Sequence, residues 1–145
     1  MSGPLYVPVL PTKPHAAGAF RRLWPNVQVA IGPLWNLPPL PGVRPETLGT
    51  VIGTYVDRVS AVSRHGGWID APFAEDAQTA AIAEALALSC ELGRLRPVTG
   101  PERTTEQQAA AVETARRCLR GLGVRVRVTG SGTAASGRAS GACWR

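Results

Sequence analysis

The stretch LGTVIGTYVDRVSAVSRHGGWIDA, residues 48–71, decides the fold class. Leu48, Val51, Ile52, Tyr55, Val56, Val59 and Val62 recur at helical spacing and form one apolar stripe. Glu46 sits near the start, where a negative charge favours the helix dipole. Gly66-Gly67 stops the pattern, and Trp68-Ile69-Asp70-Ala71 follows as a run of strand length. A helix feeding directly into a short apolar strand is half of a repeating βα unit.

The same alternation extends in both directions. Five runs, 5–10, 27–31, 68–71, 95–98 and 124–128, read as strands. Between them lie four helix-like stretches. Pro14 suits a first helical turn, and Ala16, Ala17, Phe20, Leu23 and Trp24 share one face after it. Ile82, Ala85, Leu86 and Cys90 form the stripe of an Ala-rich helix that stops at Gly93. Thr105 and Gln108 have capping-box spacing, with Val112, Ala115, Leu119 and Leu122 facing inward. Pro8 places the first run at a sheet edge or bulge. This is an α/β chain of repeated βα units with a parallel sheet. A closed barrel needs about eight strands, so three arrangements stand open: an open five-strand sheet, half of a TIM-like barrel that pairs with a second copy, or a truncated barrel. Exposed strand edges would favour self-association. One βα-repeat domain spans residues 1–128. Residues 129–145, rich in Gly, Ser and Ala, read as a disordered tail. Cys143 and Trp144 are unusual there and fit either a binding tag or a shifted reading frame.

Composition narrows the function classes. At 145 residues and 44% hydrophobic content the chain can bury a core. No run reaches the length of a membrane span, and the N-terminus has no signal-peptide pattern, so a cytoplasmic location is expected. The formal charge is +6, yet fifteen of the sixteen cationic residues are Arg, scattered along the chain, and Lys13 is the sole Lys. That spread argues against a dedicated nucleic-acid partner, which concentrates charge on one face. Cys90, Cys118 and Cys143 have no zinc-ligand spacing, and His15 and His65 stand alone. No metal or cofactor is expected, and glycine loops for phosphates and nucleophile elbows are absent.

Ligand sites in parallel βα folds lie beyond the carboxyl ends of the strands. Lys13, Asn36, Asp70, Thr99 and Arg127 fall at or just past those ends. A Lys and an Arg beside an Asp can hold a phosphate or carboxylate. Trp35 is placed either to stack on a ligand or to pack under the Pro-rich loop at 38–45. The bland alternative is an ion-pair network that fills the end of the sheet.

YVPVLPTK at 6–13 and GPLWNL at 32–37 are similar to the opening segments of the beta family proteins, a group named for a bacteriophage beta protein. WID at 68–70, RPVTG at 96–100 and GVRVR at 123–127 resemble its later strands. The resemblance runs over roughly residues 5–128 and implies a barrel-like fold in a longer protein. Asn36 stands where that pattern has Glu, which counts against a site built on that carboxylate. The resemblance implies a setting in phage–host conflict and no defined chemistry. A non-catalytic protein acting through an unidentified protein partner is therefore expected first. An enzyme-like or anion-binding barrel comes next, and a basic nucleic-acid-binding module last.

Overall fold

The computed structural model describes Pro4, residues 6–92 and residues 94–127, with only the backbone at 89–92. The expected tail at 129–145, Val128, Gly93 and the side chain of Cys90 lie outside the described residues. The elements run β1 (Val9–Pro11), α1 (Pro14–Arg21), α2 (Pro25–Ala30), β2 (Leu34–Asn36), α3 (Pro45–Ser60), β3 (Gly67–Asp70), a 3-10 turn (Asp76–Gln78), α4 (Thr79–Leu92), β4 (Leu95–Thr99), α5 (Thr105–Cys118) and β5 (Gly123–Val124).

All five strands are parallel and stand in sequence order, β1-β2-β3-β4-β5. A doubly wound sheet reverses direction partway; this one never does. Each crossover steps the same way, so a constant crossover hand stacks the helices on one face. The helix neighbours agree, with α1 against α3, α3 against α4 and α4 against α5. Among the described residues β1 and β5 are the edges, and the five strands do not close a barrel.

Register shows which side chains face the helices. Leu10, Trp35, Ile69 and Pro97 stand abreast. Trp35 and Ile69 join Phe20, Leu37, Leu48, Ile52, Val56, Val59, Ile82 and Leu86 in the core. The stripe on α3 is buried as its spacing requires. Trp35 is fully enclosed, donates from Nε1 to Ser63 Oγ at 2.8 Å, and meets the Phe20 ring edge-on. Side chains alternate along a strand, so Val9, Leu34, Trp68 and Arg96 face away from the helices, followed by Pro11, Asn36 and Asp70 nearer the carboxyl ends. The Trp68 indole crosses this face towards Gly123, where an added Cβ would come within 2.9 Å of Trp68 Cδ1.

The second strand is not where the apolar run at 27–31 placed it. Pro25 opens a short helix there, and the strand is Leu34–Asn36. Only Ile31 keeps a trace of extended pairing, a single bridge to Tyr6. Gln28 decides the local structure: its Nε2 donates to the carbonyls of Leu23 at 2.8 Å and Arg21 at 3.2 Å, satisfying the end of α1. Three further expectations shift. Trp24 is 77% exposed and Leu119, with φ 52°, is 91% exposed, so neither faces inward. The last strand is short and starts at Gly123. The cap of α5 is Thr104, one residue earlier than Thr105, and its hydroxyl accepts from Gln107 N.

Candidate functional site

The carboxyl ends of β1–β4 place Thr12, Asn36, Asp70 and Thr99 along one rim. Asp70 is its centre. The residue is 1% exposed and ends β3. Arg103 Nη2 donates to Oδ1 at 2.9 Å, and Arg125 Nη1 donates to Oδ2 at 3.3 Å. One carboxylate is thus divided between two guanidinium groups.

Both arginines reach Asp70 through local structure. Arg103 lies in the loop between β4 and α5. Gln108 Nε2 folds that loop by donating to Arg103 O at 2.9 Å and Gly100 O at 3.3 Å. Arg103 Nη1 also donates to Ala71 O. Arg125 follows β5 directly, and its N–H donates to Thr99 O at 2.8 Å. At Gly100 an added Cβ would lie 2.5 Å from Arg125 O, so this approach needs glycine.

Burial pushes the Asp70 carboxyl above its ordinary value of 3.8. The charge of Arg103, then the hydrogen bond and charge of Arg125, pull it back only in part, and Glu102 adds a small upward push. Three buried oxygens on the rim lack a hydrogen-bond partner: Thr12 Oγ1, Asn36 Oδ1 and Thr99 Oγ1.

Of the residues expected here, Asn36, Asp70 and Thr99 share the rim. Lys13 is exposed beyond β1 and lines a separate groove with Thr54, Tyr55 and Arg58. Arg127 is exposed, and the cation beside Asp70 is Arg125 instead. Trp35 sits in the helix-facing core rather than at the rim. Arg103 was not foreseen, since a loop arginine carries no sequence signal; Arg125 was visible as a neighbouring cation in the same strand.

A cavity of about 60 Å3 opens beside the ion pair, under α4 and α5. Asp70, Arg103, Thr79 and Thr99 line it with apolar residues that include Ile82 and Ala111. Thr79 Oγ1, like Thr99 Oγ1, is buried without a partner.

No curated protein and no solved structure matches this chain. A family model described as Beta protein matches residues 6–141, nearly the whole chain. The chain belongs to the Beta protein family.

Proposed function

We propose that this protein binds an anionic group at the carboxyl rim of its sheet and does so without acid–base catalysis. The observation that carries this reading is Asp70 held between Arg103 and Arg125. A carboxylate engaged on both oxygens is a poor general base, because abstracting a proton would cost it two charge-assisted hydrogen bonds. The arginines retain capacity. Arg103 spends two of about five N–H donors on protein groups. Two guanidiniums around one carboxylate leave positive charge to spare, trimmed by the exposed Glu102.

Inorganic phosphate, titrated into the 15N-labelled chain, tests this. Shifts should centre on Arg103, Arg125 and Thr99. Arg103→Gln and Arg125→Gln should each weaken binding about tenfold. In the acid range where phosphate stays a monoanion, binding should tighten as pH falls, because proton uptake by Asp70 removes the competing internal anion. Phosphate affinity equal in wild type and both variants would refute the reading.

A second reading rests on the open edges. Tyr6 is 63% and Val9 46% exposed on one side of the sheet, and Val124 is 38% and Val126 40% exposed on the other. Unpaired edges with apolar side chains favour a protein partner, including a second copy that extends a half-barrel.

A further inference from the structure

We infer that the cavity beside Arg103 takes a short hydroxycarboxylate, a molecule of lactate size, with its carboxylate on the guanidinium and its hydroxyl between Thr79 and Thr99. This rests on the anion-binding reading above and extends it to a ligand class. Three observations converge. The cavity measures about 60 Å3, room for roughly four or five water-sized groups. Its walls are mostly aliphatic, from Ala74, Ile82, Leu86 and Ala111, so a one- or two-carbon body fits and a second charge does not. Two buried hydroxyls, on Thr79 at 5% and Thr99 at 8% exposure, border it with no protein partner.

The neighbouring polar groups are already engaged. Thr114 Oγ1 donates to Ala110 O at 2.9 Å, and Gln107 Nε2 donates to Ala74 O at 3.2 Å. Thr79 and Thr99 are therefore the pair that a ligand would satisfy. A hydroxyl both donates and accepts, so it suits two threonines; a bare alkyl chain would leave both oxygens unpaired, at a cost that separates the two ligands.

The full chain is titrated by NMR with acetate, propionate and lactate at fixed ionic strength. Lactate should bind about threefold to tenfold more tightly than propionate, the equivalent of one hydrogen bond. Thr99→Val and Thr79→Val are nearly isosteric, and either should bring that ratio close to one. Retained dispersion of the amide spectrum shows that each variant is folded. Equal affinity for lactate and propionate in the wild type overturns the inference while leaving the anion site standing. So does a ratio that survives in both variants. Absence of binding by any of the three carboxylates, with phosphate also silent, defeats the anion reading and this inference together.

Discussion

Asp70 concentrates the physical tension of this protein. Its carboxyl is removed from water, and the two guanidiniums compensate without fully offsetting that loss. Asp70→Ala leaves two partly buried arginines facing each other, and urea denaturation should show a loss of about 2–3 kcal/mol. The pH dependence has a definite sign. Folding raises the affinity of this group for a proton, so its stabilising contribution is complete below its ordinary value of 3.8 and is lost as pH rises through the raised folded value. Asp70→Asn should flatten the stability curve in that acid interval. A constant offset between variant and wild type at every pH would contradict this. Trp35 is the second decisive side chain. Trp35→Phe opens space in the core and strands Ser63 Oγ, a loss of about 2 kcal/mol measurable by the same method.

The helix α2 shows how one element redirects a short stretch of chain. Its apolar residues, Val27, Val29 and Ala30, look like a strand because a run of four or five is ambiguous between the two periods. Pro25 at its first position and the reach of Gln28 to the end of α1 resolve the ambiguity towards helix. Val29 is 61% exposed on that helix. Val29→Lys should therefore change stability by no more than about 0.5 kcal/mol, whereas an inward strand position would lose several times that. Gln28→Ala should cost about 1 kcal/mol by leaving the α1 carbonyls unsatisfied. Both variants are checked by thermal melting. The β5 edge tolerates less. Gly123→Ala would drive a methyl against Trp68 and Val98 Cγ2, so overpacking should follow there.

At the largest scale, the described residues form a one-way parallel sheet covered by helices on one face, with β1 and β5 at its edges. The edge reading places self-association at β1 and β5. Sedimentation velocity of the wild type should show a concentration-dependent dimer, and Val9→Lys should shift it to monomer by charging an edge. A monomer at all concentrations would count against the edge reading. Parallel strands were legible from the chain because strands buried under crossovers appear as continuous apolar runs separated by helical stripes, as in 48–71, whereas their order in the sheet came from the tertiary structure. The positions of the rim residues were legible only in part. Asp70 and Thr99 lie where a strand end predicts, yet their partners depend on how far each strand slides along its neighbour. β5 begins at Gly123, and Val98 and Thr99 pair with Gly123 and Val124. That register presents Arg125 to Asp70 and leaves Arg127 outside. Local order, set by periodicity and by Pro and Gly, was written in the primary structure. The choice among nearby arginines, and the arrival of Arg103 from a loop, came from long-range packing, because charge pairing is decided by distances across the sheet that no spacing along the chain encodes.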